Sequence, residues 1–194
     1  MTQASPTQPL QKVRWTVHDL WGFTDETKRY EIIDGELFVT RAPRLEHQDA
    51  ESNIHLELKL WNRETKLGKT VCTPGVIFSE ADAVIPDVVW ISNERMTGNI
   101  DEAGHFTIAP ELVVEVLSKS QRDKRRDREH KLRLYSAEGV LEYWIADDEQ
   151  TAIELYRRDQ GALTKVGTLF ADDTLTSPLL PGFSCRVGDL FLPI

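Results

Sequence analysis

Apolar and polar residues along this chain recur with two periods, one suited to strands and one to helices. In "RYEIIDGELFVT" (residues 29–40) two strand-like runs flank Asp34-Gly35, a dipeptide suited to the tight turn of a β-hairpin. Just before it, "TVHDLWGF" predicts a short helix capped by Thr16. The stretch "APRLEHQDAESNIHLELKLWNRETKLG" then reads as a long helix, because Ile54, Leu58 and Trp61 recur at helical spacing and Gly68 offers a stop. Strands are expected at about 76–79 and 85–91. After a loop rich in Gly, Asn and Asp around 97–105 comes the apolar run "ELVVEVLS" at 111–118. A charged helix starts near Ser120, where Ser120-x-x-Asp123 resembles a capping box, and ends before Gly139. "LEYWIAD", "TAIELYRR" and "ALTKVGTLF" predict three more strands, and "SPLLPGFSCRVGDLFLPI" an extended tail docked on the body. This order of elements predicts one α/β domain with a mixed β-sheet flanked by helices over residues 12–194, preceded by a flexible tail over residues 1–11.

Composition narrows the class. A chain of 194 residues suits one domain, and 40% hydrophobic with 28% charged residues suits an ordinary globule. The net charge of −9 does not look like that of a nucleic-acid binder, but it conceals an asymmetry. Between Lys119 and Arg133 eight Lys or Arg face three Asp or Glu, a balance of +5 that leaves −14 on the rest of the chain. Such segregation can create a local basic face. Two distant cysteines, Cys72 and Cys185, argue against a disulfide framework or a zinc ribbon and fit a reducing cytoplasm. The start "MTQASPTQPLQ" has no signal-peptide pattern, and no apolar run approaches the roughly 20 residues that span a bilayer. A soluble cytoplasmic protein without a membrane partner is expected.

Glu115 is the anomaly in "ELVVEVLS". An ionised carboxylate in a dry strand costs several kcal/mol unless it is paired or binds a metal. A second acid, Asp87, sits in the equally apolar "IPDVVWI". If the two strands are neighbours, parity allows both carboxylates on one face, Asp87 with Val89 and Glu115 with Val113. Such a pair either shares a proton or holds a divalent cation, and oxygen ligands favour Mg²⁺ or Mn²⁺ over Zn²⁺. On the following helix Lys124, Arg128, Lys131 and Tyr135 step by 4, 3 and 4 residues into one stripe. Strand and helix pitches let any of the three cations reach the carboxylates, whereas Tyr135 reads as core packing beside Leu132. A cation held by two carboxylates beside a basic side chain suits phosphodiester hydrolysis.

Pro86-Asp87 followed by Glu115-Val116-Leu117 resembles the PD-(D/E)XK nuclease superfamily. The blocks "YEIIDGEL", "PDVVWIS", "PELVVEVLSKS", "KLRLYSAEGVLEYWIAD" and "SPLLPGF", in that order over most of the chain, are similar to the Uma-two family of restriction-endonuclease-like bacterial proteins. The resemblance implies a restriction-endonuclease-like α/β fold with Asp87, Glu115 and the Val116 backbone carbonyl as ligands of a catalytic Mg²⁺ or Mn²⁺. It departs at position 117, where the superfamily's lysine is replaced by Leu117. Lys131 in "HKLRLY" matches the family pattern as the migrated catalytic lysine, while Lys124 and Arg128 remain substitutes and candidates for nucleic-acid binding. Glu36 in "DGEL" and His47 also match family positions and are candidates to line the site.

The implied activity is a metal-dependent endonuclease acting on DNA. A relative that binds nucleic acid or a protein partner without cleaving is the alternative, motivated by Leu117 and the acidic net charge. A small-molecule metallohydrolase ranks last. Related nuclease folds are often dimers, and the sequence identifies no interface.

Overall fold

The computed structural model describes residues 13–191, so the tail expected over 1–11 lies outside the described residues. Helix α1 (Val17–Leu20) begins at Thr16, whose N–H and hydroxyl both donate to the Asp19 carboxylate. The hairpin forms as the turn chemistry requires. Asp34 and Gly35 both adopt positive φ (49° and 69°), which joins β1 (Lys28–Ile33) to β2 (Glu36–Arg41) with Ile33 opposite Glu36. Helix α2 (Leu45–Thr65) buries Ala50, Ile54 and Leu58, each large side chain contributing roughly 1.5–3 kcal/mol.

Gly68 does not stop that helix. Lys66 does, in the left-handed conformation, and Gly68 opens a strand missed in the sequence, β3 (Gly68–Cys72). A Cβ at Gly68 would sit 2.1 Å from the Ile91 carbonyl oxygen, so close strand packing requires glycine there. The short strands β4 (Val76–Ser79) and β5 (Asp82–Val84) follow, then β6 (Val88–Ser92), α3 (Asn93–Met96) and β7 (Leu112–Val116). The expected strand at 85–91 therefore starts later, leaving Asp87 on its threshold.

The charged helix runs through residues 121–138 but is not uniform. An α-helical turn, α4 (Gln121–Arg125), leads into a π-helical segment, Arg126–Lys131, and then α5 (Leu132–Glu138), which ends at Gly139 with φ 91°. Strands β8 (Glu142–Asp147), β9 (Ala152–Asp159) and β10 (Ala162–Phe170) match the expected runs. The small ribbon of β11 (Thr174–Thr176) and β12 (Ser184–Arg186) and a 3₁₀ turn at Val187–Leu190 complete the described chain.

The strands form a six-stranded sheet in the order β10-β9-β8-β7-β6-β3 and a four-stranded sheet in the order β2-β1-β5-β4. In the large sheet only β7 and β8 are parallel, because the helix at 121–138 supplies their crossover. Its two faces bury separate cores. Val88, Trp90, Val114 and Trp144 pack on α2 and the C-terminal segment, while Val89, Val113, Tyr143 and Ile145 pack on α5 and the small sheet. The result is a mixed α/β fold with sheets flanked by helices. Among the described residues no helix is long and apolar enough to cross a membrane.

Candidate active site

The β6–β7 register pairs Val88 with Val114, so Asp87, one residue before β6, falls opposite Glu115. The Val116 N–H donates to Asp87 Oδ2 (2.8 Å), tying the two strands at this point. Both acids share the face of Val89 and Val113, as parity requires, and both are almost fully buried. They stand at the floor of a cleft of about 450 Å³.

Lys131 is the cation that reaches them. Its Nζ lies 2.9 Å from Glu115 Oε1 and 2.8 Å from Glu31 Oε1, and the side chain is 1% exposed. Tyr135, four residues on, donates its hydroxyl to the same Glu115 oxygen at 2.7 Å. Tyr135 therefore packs in the core, against Tyr143, and also holds a site carboxylate. Both contacts fall on Glu115 Oε1, and Oε2 accepts no hydrogen bond among the described residues. Glu31 Oε1 also accepts from the Ile85 N–H (2.9 Å), and its Oε2 lies 3.9 Å from Arg126 Nε. Arg126 pairs mainly with the fully buried Asp127 (2.9 Å).

Helix α2 contributes a third group. His47, Glu51 and Asp87 each offer a ligand atom, all within 4.8 Å of one another, so these side chains could hold a metal ion. His47 Nε2 lies 3.3 Å from Asp87 Oδ1 without hydrogen-bond alignment, and neither ring nitrogen has a hydrogen-bond partner. A buried imidazole whose Nδ1 has no partner and whose Nε2 only approaches Asp87, with two carboxylates beside it, forms a donor set suited to a cation. The fourth neighbour of Asp87 is Arg29, whose Nη1 lies 3.1 Å from Oδ1.

Proton affinities follow this crowding. Burial would raise the Asp87 carboxyl, but His47, Lys131 and the Val116 N–H outweigh it and hold the group at about 2. Burial lifts Glu115 to about 8, with Asp87, Asp127 and Glu31 adding to the rise and Lys131 opposing it. Burial also disfavours the charged Lys131, yet Glu115 and Glu31 overcome this and raise its affinity, keeping it an ammonium. For His47 the burial that lowers its affinity is outweighed by Asp87 and Glu51, and the net shift is upward.

The other sequence candidates lie elsewhere. Arg128 is taken by Glu154 and Asp147, and Lys124 by Glu149; neither lines the cleft. The mouth instead carries Arg29, Arg41, Arg44, Lys119 and Arg122. Of these, Arg41, Lys119 and Arg122 make no ion pair among the described residues. Glu36 borders a different hollow with Asp82 and Arg133, so its strand partner β1 delivers Glu31 to the site in its place. Glu31 and Glu51 were missed, though each left a signal. Glu31 is an acid heading the apolar run "EII", the same anomaly that marks Glu115. Glu51 follows His47 by four residues, which places the two on one helical face.

A mixed sheet presenting paired carboxylates under a basic cleft defines a nuclease-like fold. The chain belongs to the Uma2 family: the family model described as "Uma2: Putative restriction endonuclease" matches residues 16–188. Among solved structures it is similar to that of "a putative nuclease belonging to DUF820 from Anabaena variabilis ATCC 29413". That similarity has a TM-score of 0.72 at 19% identity and covers 91% of this chain and 97% of the other. No curated protein matches the chain.

Proposed function

We propose that the protein is a divalent-metal-dependent endonuclease that hydrolyses phosphodiester bonds in DNA. The observation that carries this reading is Asp87 facing Glu115 at the floor of a basic cleft, with Lys131 held against Glu115. Asp87 and Glu115 are the acidic ligands, and the backbone carbonyl of Val116 is a further candidate. His47 and Glu51 extend the donor set. An imidazole among carboxylates moves the preference from Mg²⁺ toward Mn²⁺, the ion that accepts both donor types. When bound, the cation supplies Lewis-acid polarisation of the phosphate and a more acidic water.

The protein's own groups divide the remaining work. Lys131, kept charged by two carboxylates, cannot serve as a base and offsets negative charge building on the phosphate. Glu31 and Tyr135 act through it and through Glu115, fixing where both point. Arg41, Lys119 and Arg122 at the mouth would meet flanking phosphates, which gives affinity without reading sequence. This basic mouth reconciles nucleic-acid binding with a net charge of −9.

The test is cleavage of plasmid and labelled oligonucleotides with Mn²⁺ or Mg²⁺, comparing wild type with Asp87→Asn and Glu115→Gln. Cleavage by the wild type should fall at least 10²-fold in either variant, in line with loss of one charge-stabilising group. Cleavage that survives both substitutions would sink the assignment. Oligonucleotide binding without cleavage under any metal would favour the non-cleaving alternative.

A further inference from the structure

Three cationic side chains enter the cleft from inside, and they are held very differently. Lys131 is clamped by two buried carboxylates, and the buried Arg126 by Asp127, Glu31 and the half-buried Asp123. Arg29 has a single tie, one Nη1 contact to Asp87 Oδ1 at 3.1 Å. Its remaining N–H donors bond to nothing among the described residues, although a guanidinium carries five. The side chain is 29% exposed where Asp87 is 5% exposed, so the group bridges the floor and the open cleft. Its backbone is fixed, because Arg29 pairs with Thr40 in the hairpin and its neighbour Tyr30 stacks on Phe23 at 4.5 Å. The backbone is thus anchored, while one contact alone holds the guanidinium.

The oxygen Arg29 holds is the one a bound cation needs. Asp87 Oδ2 is engaged by the Val116 N–H, and Oδ1 is the oxygen that faces His47 in the donor group. A guanidinium and a divalent cation on the same oxygen repel each other strongly at this depth. The planar fork released from Asp87 matches a phosphate in two-point geometry.

Resting on the nuclease reading above, we propose that Arg29 stands in for the cation at Asp87 and passes to a phosphate oxygen when cation and nucleic acid bind. Arg29 is then a substrate-binding residue and couples the two ligands, each favouring the state in which Asp87 has given it up.

Calorimetric Mn²⁺ titration, together with anisotropy of a labelled oligonucleotide with and without Mn²⁺, separates this role from a structural one. Arg29→Ala should bind Mn²⁺ about tenfold more tightly and the oligonucleotide in Mn²⁺ about tenfold more weakly, the size expected for one hydrogen bond to a charged group. Arg29→Lys should return Mn²⁺ affinity to near the wild-type value while recovering only part of the oligonucleotide affinity, and it carries the test if the alanine variant does not fold. Affinities that both stay unchanged, or that both fall, overturn the proposal. Wild-type protein that binds no Mn²⁺ overturns this inference and the metal-dependent reading together. Mn²⁺ binding with cleavage, but an unaltered Arg29→Ala, overturns this inference alone.

Discussion

The helix at residues 121–138 serves two charged clusters built on opposite terms. Toward the cleft, the acids Glu31, Glu51, Asp87, Glu115 and Asp127 face the cations Arg126, Lys131 and Arg29, five acids against three bases with His47 among them. Toward β9, the part-exposed Arg128 meets Glu154 and Asp147, Lys165 adds to Glu154, and Lys124 meets Glu149. The second cluster closes its own charge, three acids against three bases, with Arg128, Lys165 and Glu149 reaching solvent. The first leaves carboxylates in excess where water cannot screen them, a cost retained only where a ligand will offset it. A closed ion-pair network satisfies its own charges; an unbalanced one is what the proposed cation would complete.

Removing Lys131 should break this contrast most severely. Lys131→Met leaves Glu31 and Glu115 buried without their shared partner, so unfolding free energy should fall by about 3–5 kcal/mol in urea denaturation. Adding Glu115→Gln to that variant should recover part of the loss, because the two residues are coupled. A loss under about 1 kcal/mol would mean that the cleft cluster is no more demanding than an exposed one.

The pH dependence of stability sharpens the same contrast. Asp87 is held at about 2, below its unfolded value near 3.8, so its contribution is present above pH 4 and lost as pH falls toward 2. Glu115 is raised to about 8 from 4.5, so the folded protein prefers it protonated. That contribution is full below pH 4.5 and lost as pH rises through 8. Metal-free protein should therefore lose stability between pH 5 and 8, and Glu115→Gln should flatten that decline. Mn²⁺ should oppose it by favouring the ionised carboxylate. A decline that persists in Glu115→Gln would assign the effect to another group.

Much of this arrangement could be read from the residues alone. Asp34-Gly35 specifies its hairpin by local turn chemistry, and the apolar runs of β7 and β8 specify buried central strands. Parity then set Asp87 and Glu115 on one face. Two kinds of information were missing. The short strands β3 and β5 carry few apolar residues and exist through pairing with β6 and with β1 and β4, which no local pattern encodes. The π-helical segment was also invisible, because it uses ordinary helix-forming residues. An extra residue in the turn rotates the downstream helix by about 100° relative to a regular one. The stripe from Lys124 through Arg128 to Lys131 and Tyr135 assumes regular spacing across 126–131. The segment splits it, sending Lys131 and Tyr135 to Glu115 and leaving Lys124 and Arg128 with Glu149 and Glu154. The Tyr143 hydroxyl secures the altered turn by donating to the Asp127 carbonyl (3.0 Å).

The smallest expected effect lies on the far side of that split. Arg128 is about a third exposed, so its pairs with Glu154 and Asp147 are partly screened from its own side. After its removal Lys165 remains beside Glu154, and the buried Asp147 keeps hydrogen bonds from the Glu149 N–H (3.2 Å) and Gln150 Nε2 (2.8 Å), so neither acid loses every partner. Arg128→Ala should therefore cost about 1 kcal/mol or less, shrinking further as salt screens the pair. It should leave Mn²⁺ affinity at the wild-type value, since Arg128 does not line the cleft. Denaturation at low and high ionic strength, paired with a Mn²⁺ titration, measures both. A loss as large as that of Lys131→Met, or a change in metal affinity, would show that the two clusters act as one network through the helix and that the π segment does not insulate them.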